Sequence, residues 1–361
     1  MSPISIFVLA FSVLGAIDLL IGNKIGIGEE FKKAFSLFCP MALSMLGMIV
    51  IAPAIGVWLE PVFTGFYRIF HIDPSIIPAS LFANDMGGMT LAQGIAISSE
   101  IGDFNAFVVS SMMGCVISFT IPFSLGMVKP EQHRELFFGL ICGISTVPVG
   151  CIIAGLILGI GILELLISML PLLLLSIGIG FALVFVPKGC IKVFRVFGTV
   201  MKVLGIVGLL LSIFTFLTKI TIFPYFDTFE NGAFICANAC VTLSGMLPAM
   251  LIVSRLLKKP LNQFGSKLGI NSISALALLG SLVTNASTFG MMDKMDKKGV
   301  VLNGAFAVSA SFVFGSHLAF TMAFDQAYLL PMIVGKIISG ISAVVLALLI
   351  YKDDQKKKSA I

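Results

Sequence analysis

The sequence predicts an all-α polytopic membrane protein in which two inverted repeats supply about nine transmembrane helices and two re-entrant hairpins. Three observations predict this class. Of the 361 residues, 58% are hydrophobic and only 11% are charged, whereas soluble domains carry about 25% charged residues. The apolar residues form runs close to the roughly 20 residues that a spanning helix needs. The positions of the basic residues and a weak internal similarity then indicate how these runs are arranged.

Nine apolar runs are predicted to cross the bilayer as helices: 4–22, 38–58, 104–128, 136–160, 163–187, 196–222, 232–254, 300–323 and 328–351. We expect the first run to be retained, because it lacks the basic start and the small-residue cleavage site of a signal peptide. Two further stretches, 75–97 and 272–292, are weaker because polar residues and glycines interrupt them. These two are candidate hairpins.

The basic residues favour an arrangement in which both weak stretches enter and leave by the same face. Most of the 23 Lys and Arg residues fall into six clusters, at 24–33, 129–134, 188–202, 255–267, 294–298 and 352–358. Short loops rich in Lys and Arg stay in the cytoplasm. All six clusters lie on one side only if 75–97 and 272–292 do not cross. The N-terminus is then expected outside and the C-terminus inside, with Arg68 and Lys219 outside and Lys336 within a span.

A weak internal repeat at an offset of about 200 residues indicates an inverted architecture. The segments 84–89, 105–107 and 114–120 resemble 285–291, 303–306 and 315–321. Each unit would contain four spans and one hairpin, with one connecting span between the units, so the second unit is upside down relative to the first. We predict a first repeat at 1–160, a connecting transmembrane helix at 161–195, a second, inverted repeat at 196–351 and a cytoplasmic basic tail at 352–361.

Inverted repeats with paired hairpins are typical of secondary transporters, whose substrate site lies near the midplane between the repeats. Irregular backbone at membrane depth is tolerated where it is buried in protein or lines a cavity. The segments 83–91 and 284–291 are therefore the expected site. The sequence lacks a Walker loop, a dinucleotide fingerprint, a paired nucleophile and base, and a metal cluster. We expect no enzyme activity, no cofactor or metal and no nucleic-acid partner. The seven cysteines, including Cys236 and Cys240, are interpreted as small buried residues.

Asp85 is the leading candidate ligand for a cation, because an acid at membrane depth is costly unless it is paired or functional. Gly87 and Gly88 beside it permit a sharp turn and a close backbone approach to a ligand. The alternative is that Asp85 caps the second half of the hairpin, which does not exclude contact with substrate. The candidate substrate-binding set is Asn84, Asp85, Met86, Gly87, Gly88, Asn285, Ser287, Thr288, Phe289, Ser316 and His317.

Three residues are candidates for ion or proton coupling. Asp18 lies inside the first run, where pairing with substrate, with a proton or with Lys336 competes with a purely structural pairing. His317 titrates near neutral pH, but the alternative is a plain hydrogen-bonded histidine. Lys336 either neutralises a buried acid or extends to the interface. Phe289 could stack on an ammonium, although most of the 32 phenylalanines are expected to face lipid or the core.

The two hairpin segments, Phe82 to Ala92 (FANDMGGMTLA) and Thr284 to Met292 (TNASTFGMM), resemble the ethanolamine permease family EutH. Further agreement lies at 303–309 (NGAFAVS), 315–320 (GSHLAF) and 331–336 (PMIVGK), so the resemblance covers essentially the whole chain. Some members of the family differ at Asn84 and Ser316, where they have a Cys and an acid, so these two positions are also candidates for tuning affinity or coupling.

The resemblance implies a multi-pass protein of the bacterial cytoplasmic membrane that admits ethanolamine by alternating access. Its ammonium would meet Asp85, and its hydroxyl would meet Asn285, Ser287 or Asn84. The expected partners are ethanolamine, the lipid bilayer and a second copy of the chain in a homo-oligomer, a dimer. The alternative is a cation- or proton-coupled symporter of another small polar solute, with Asp85 holding sodium or a proton.

Overall fold

The structure, a computed structural model, describes residues 3–351, apart from the side chain of Ser44. Over this range the chain forms helices joined by short turns and contains no β-strand. The predicted all-α class is therefore confirmed. The predicted basic tail, 352–361, lies outside the described residues.

The first half of the described range contains nine α-helices, of which three have only four to six residues. In chain order they are α1 (Pro3–Leu20), α2 (Gly28–Ser36), α3 (Phe38–Met41), α4 (Gly47–Phe70), α5 (Ile76–Leu81), α6 (Gly88–Ile95), α7 (Ser99–Phe104), α8 (Ile121–Met127) and α9 (His133–Ile157). Wide π-helical turns at Ala42–Leu46, Asn105–Gly114 and Val116–Thr120 join some of them into longer rods.

The second half of the described range, which ends at residue 351, also contains nine α-helices. They are α10 (Ile162–Ser168), α11 (Leu170–Phe185), α12 (Pro187–Thr218), α13 (Phe229–Leu268), α14 (Ser272–Val283), α15 (Asn285–Gly290), α16 (Lys297–Ala310), α17 (Ser316–Phe324) and α18 (Leu329–Ile350).

Seven helical rods within residues 3–351 are long and apolar enough to cross a membrane: Pro3–Leu20, Gly47–Phe70, Ser99–Met127, Pro130–Ile157, Pro187–Thr218, Phe229–Leu268 and Gln326–Ile350. The predicted span 163–187 corresponds to the pair α10 and α11, which is bent by 43° and raises the number to eight when it is taken as one span. Burial separates the rods into two groups, since 83% of the most apolar part of Ser99–Met127 is buried against only 17% in α1.

The predicted continuous span 300–323 is wrong in one respect, because the helix is interrupted between α16 and α17. The backbone N–H of Phe312 donates to the carbonyl of Ser281 at 3.1 Å, and that of Phe314 donates to the carbonyl of Leu282 at 2.8 Å. These amides bond to the end of α14 rather than to the preceding turn of their own helix. The interruption is therefore caused by packing against the second hairpin.

The predicted boundary between residues 195 and 196 lies inside the uninterrupted helix α12. This helix begins at Pro187, and proline suits the first turn of a helix, where its missing N–H has no partner to lose. Its 32 residues give a length of about 48 Å at 1.5 Å per residue. The first turns of α12 thus extend beyond the roughly 30 Å of hydrocarbon that a span must cross.

Candidate functional site

The first hairpin is formed by α5 and α6. The carboxylate of Asp73 joins its two ends, opposite the tip. One oxygen accepts a hydrogen bond from the backbone N–H of Ser75 at 3.0 Å. The other accepts from the N–H groups of Ile97 and Ser98, both at 2.9 Å. The two ends of the segment 75–97 therefore lie side by side, as required of a segment that turns back at its tip.

The second hairpin, formed by α14 and α15, is closed in a similar way by Asp296. Its Oδ1 accepts from the N–H of Asn271 at 2.8 Å and from the hydroxyl of Ser274 at 2.9 Å. The side-chain amide of Asn271 also donates to the carbonyl of Lys294 at 2.9 Å. The ends of 272–292 are thus held together by side chains, and 271–274 lies beside 294–296.

Two buried asparagines tie the helix that follows each hairpin to the start of that hairpin. The Nδ2 of Asn105 donates to the hydroxyl of Ser75 at 2.8 Å. The Nδ2 of Asn303 donates to the carbonyl of Ser274 at 2.9 Å. Both asparagines belong to the segments that the internal similarity aligns, so the aligned residues make equivalent contacts.

Each hairpin tip rests on a glycine of the helical rod that follows it. A Cβ on Gly114 would collide with the carbonyl oxygen of Phe82, and a Cβ on Gly315 would collide with that of Val283. Only glycine permits so close an approach between the rod and the tip. These two positions were also aligned by the internal similarity.

The first tip is irregular and carries Asp85. The chain turns through a 3₁₀ segment, Asn84–Met86, and then through Gly87, whose φ of +84° favours glycine. The hydroxyl of Ser118 accepts from the N–H of Ala83 at 3.1 Å, which fixes the tip to the rod Ser99–Met127. The backbone is therefore non-helical around Asp85, the residue that the sequence predicts as the cation ligand.

Asp85 is only 6% exposed and lies among polar groups from separate elements. The Ser316 hydroxyl and the charge of Lys336 both act on its carboxylate, while its own N–H donates to the Oδ1 of Asn84 at 2.9 Å. Ser316 begins α17, directly after the interruption in the helix, so the carboxylate also lies at a helix N-terminus, where negative charge is stabilised. The structure thus brings the predicted Asp85 and Ser316 together.

Lys336 and His317 complete this polar cluster. Lys336 is 1% exposed, and its Nζ donates to the carbonyl of Ser111 and contacts His317 Nδ1 at 3.1 Å. The His317 ring also lies 5.1 Å from that of Phe312, centroid to centroid. We call Asp85, Ser316, His317 and Lys336 the central cluster.

The second tip is neutral, and its predicted residues have different roles. The Nδ2 of Asn285 donates to the Thr120 hydroxyl at 3.1 Å, while its buried Oδ1 has no hydrogen-bond partner among the described residues. Thr288 is occupied within the hairpin, since its hydroxyl donates to the carbonyl of Ala277 at 3.0 Å. Ser287 is exposed, and Phe289 is 1% exposed and packs near Phe123, which fits its core alternative.

Asp18 has a structural role in this structure. Its carboxylate accepts hydrogen bonds from the N–H groups of Ile25, Ile27 and Gly28 at 2.8 to 2.9 Å. These amides belong to the turn after α1 and to the start of α2. Pairing of Asp18 with Lys336, one of the alternatives for this acid, is not found, because the loop amides occupy the carboxylate.

Two cavities reach the hairpin tips, and they contain residues that the sequence did not suggest as ligands. One of 580 Å³ is lined by Met86, Ser118 and the basic residues Arg195 and Lys202 of α12. A sequence signal for Ser118 does exist. It is one of the serines and threonines that interrupt the apolar run 104–128, and it lies in the segment 114–120 that resembles 315–321. In the sequence, Arg195 and Lys202 indicate only the orientation of the chain in the membrane.

The other cavity has a volume of 410 Å³ and reaches the second tip. It is lined by Thr284 and Ser287 together with Arg255 and Lys258 of α13. Each hairpin tip is thus approached by its own cavity, whereas the Asp85 carboxylate is buried within the central cluster.

Several known proteins are similar in sequence to this chain over most of its length. A probable ethanolamine permease EutH of Listeria monocytogenes is 36% identical over 350 residues, covering 97% of this chain and 94% of that protein. A protein of the same description from Salmonella typhimurium is 34% identical, covering 91% and 87% of the two chains. The uncharacterised protein YxeR of Bacillus subtilis is 34% identical, covering 94% and 92%.

No solved structure is significantly similar to the chain. A family model described as ethanolamine utilisation protein, EutH, matches residues 2–350, which is nearly the whole of the described helical bundle. This multi-pass membrane protein therefore belongs to the EutH family.

Proposed function

We propose that this chain is a permease that carries ethanolamine across the bacterial cytoplasmic membrane by alternating access. Two of its relatives bear the name probable ethanolamine permease. The observation that carries the proposal is the buried carboxylate of Asp85 at an irregular hairpin tip. Alkyl amines such as lysine have a pKa of about 10.4 in water, so ethanolamine arrives mainly as a cation that a carboxylate can bind.

In the proposed complex, the ammonium group binds Asp85 and the hydroxyl group binds the neutral second tip. The unpartnered Oδ1 of Asn285 is the acceptor best suited to a hydroxyl donor, and Ser287 borders the cavity that leads to it. Asn84, Met86, Gly87, Gly88, Ser316 and His317 would surround the ligand. Thr288 and Phe289 would hold the second tip in place.

The two halves are proposed to be inverted repeats with opposed hairpins, with the second unit beginning at Pro187. The matching contacts of Asn105 and Asn303 and of Gly114 and Gly315 support this arrangement. Such symmetry supports a rigid-body movement of the hairpins against a scaffold. Assembly as a homodimer stays a prediction.

The proposed orientation, with the N-terminus outside and the C-terminus in the cytoplasm, is testable by labelling. Cys39 is the exposed native cysteine of residues 3–351, so Cys39→Ser gives a suitable background. Glu100→Cys and Lys297→Cys, both at exposed positions, should react with an impermeant maleimide from opposite sides of the membrane. Labelling of both from the same side would contradict the proposed topology.

Ethanolamine transport itself is testable by counterflow in proteoliposomes. Vesicles loaded with unlabelled ethanolamine should take up labelled ethanolamine transiently without any imposed sodium or proton gradient. The alternative is a symporter of another small polar solute, in which Asp85 holds sodium or a proton. Counterflow that is absent without a sodium or proton gradient, or absent for ethanolamine but present for another solute, would favour that alternative.

A further inference from the structure

Lys336 is a buried cation in the middle of a membrane protein, and the binding of ethanolamine does not by itself require it. It lies two turns into α18 and is 1% exposed. A charged side chain at such depth is costly and is retained where it serves a function. Its position next to the proposed ammonium site is therefore informative.

The groups that face Lys336 come from four separate elements. His317 of α17 contacts its Nζ, Asp85 of the first tip attracts it by charge, and the thiols of Cys115 between the two π-helical turns and of Cys151 of α9 lie near it. The Ser111 carbonyl accepts its remaining hydrogen bond. Asp85 is the carboxylate of this group, so one anion faces one cation.

This balance changes when a substrate cation enters. The pair of Asp85 and Lys336 is neutral overall, and an ammonium bound to Asp85 would leave the site with an excess positive charge. An uncompensated buried charge is strongly unfavourable. Loss of one proton from Lys336 restores neutrality.

We propose that Lys336 gives up a proton when the ammonium of the substrate binds at Asp85, and that it takes a proton back when the substrate leaves. Each substrate cation is then exchanged for one proton. The N–H bond of the Lys336 ammonium breaks, its electron pair stays on Nζ, and the proton passes to water on the side from which the substrate came. This inference rests on the proposed ethanolamine transport and specifies how that transport is coupled.

The contacts of Lys336 are suited to both protonation states. The Nδ1 of a neutral histidine accepts a hydrogen bond from an ammonium, and in the other tautomer it donates one to an amine. The contact between His317 and Lys336 can therefore persist after the proton leaves. The Ser111 carbonyl only accepts, so it favours the return of the proton once the substrate has gone.

The exchange has a distinctive consequence for energetics. One positive charge enters and one leaves, so no net charge crosses the membrane. Uptake should then depend on the pH gradient and not on the membrane potential. An electrogenic uniporter would instead gain about 2.3 kcal/mol per 100 mV for each cation, which corresponds to about a 50-fold accumulation.

The test uses the full-length protein in proteoliposomes below pH 7, with protein-free vesicles to subtract diffusion of the neutral amine. Potassium gradients with valinomycin set the potential, and a trapped dye reports internal pH. The wild-type protein should show no accumulation in response to potential and should make the lumen more alkaline by one proton per ethanolamine. Lys336→Met should take up ethanolamine without proton movement and accumulate it about 50-fold at 100 mV, inside negative. Lys188→Met, a change at an exposed lysine that lines neither cavity, should behave as wild type.

Potential-driven accumulation by the wild-type protein without alkalinisation would overturn the exchange while leaving ethanolamine transport intact. Proton movement that persists in a folded Lys336→Met variant would also overturn it. If that variant does not fold, the wild-type measurement alone decides. Absence of any counterflow in the wild-type protein would instead contradict the proposed function.

Discussion

The two hairpins share a construction and differ in their chemistry. Both are closed by an aspartate, Asp73 or Asp296, and both rest their tips on a glycine of the next rod. The first tip, however, turns through a 3₁₀ segment that carries the buried Asp85. The second passes at Thr284 directly into the helix α15 and presents neutral groups such as Asn285.

This difference distinguishes the contacts that support both tips from the charged groups that are proposed to bind substrate. The contacts that close each hairpin and seat its tip occur in both halves, so they are structural requirements of the arrangement. The charge occurs at one tip only, and it is there that α17 and α18 supply Ser316, His317 and Lys336. A ligand with a cationic end and a hydroxyl end matches such an asymmetric pair of tips.

The largest expected effect is that of removing the charge from the first tip. Asp85→Asn should lower ethanolamine uptake in proteoliposomes by about 100-fold, because a hydrogen bond to a charged group contributes about 1.5–3 kcal/mol and the attraction between the charges is lost as well. Thermal unfolding in detergent should change little, because Lys336 can lose its proton and so avoid becoming an unpaired buried charge. Asp293→Asn, which changes an exposed acid near the end of the second hairpin, is the matched control and should retain uptake.

Two other outcomes would alter this interpretation. Normal uptake by Asp85→Asn would remove Asp85 from the binding site. Loss of folding together with uptake would favour the alternative in which Asp85 chiefly caps the hairpin.

An intermediate effect on stability is expected at both tips if each tip packs in the same way against the glycine of the following rod. Gly114→Ala and Gly315→Ala each place a Cβ against a tip carbonyl, and overpacking of this kind costs about 1–3 kcal/mol. Gly126→Ala and Gly178→Ala add a methyl group in open space and should be neutral or slightly stabilising, because alanine favours helix more than glycine does. The measurement is thermal unfolding of the purified variants. If only one of Gly114→Ala and Gly315→Ala loses stability, the two hairpins are not structurally equivalent.

The smallest effect is expected at the neutral tip. Asn285→Ala removes the unpartnered Oδ1, so it should weaken ethanolamine binding by about tenfold, the equivalent of one hydrogen bond of about 1.4 kcal/mol. Ethylamine lacks the hydroxyl, so its inhibition of ethanolamine uptake should be unchanged by the substitution. Equal losses for both amines would show that Asn285 does not distinguish the hydroxyl.

The sequence was sufficient to locate the hairpins because their signals are local. Asn84-Asp85 and Thr284-Asn285 interrupt apolar stretches, and polar groups at membrane depth indicate special backbone. Asp85 was recognisable for the same reason. Its proximity to Ser316, His317 and Lys336 depends on how distant helices pack, which the spacing of residues does not reveal.

The features that the sequence missed arise from tertiary contacts. No proline marks the interruption after Ala310, since it forms because the amides of Phe312 and Phe314 bond to the carbonyls of α14. Asp18 was a candidate either for coupling or for a structural pairing, and its partners are amides of the following loop, which a count of intramembrane acids does not reveal. The run 163–187 likewise gave no sign of the 43° bend between α10 and α11.

The way in which each hairpin is closed bears on how the protein is made. Asp73 joins residues 24 and 25 positions further along the chain, and Asn271 is joined to a residue 25 positions away. Such short loops close at little entropic cost. Each weakly hydrophobic hairpin can therefore fold as soon as its own residues leave the ribosome and the insertion machinery, without waiting for the opposite half of the protein.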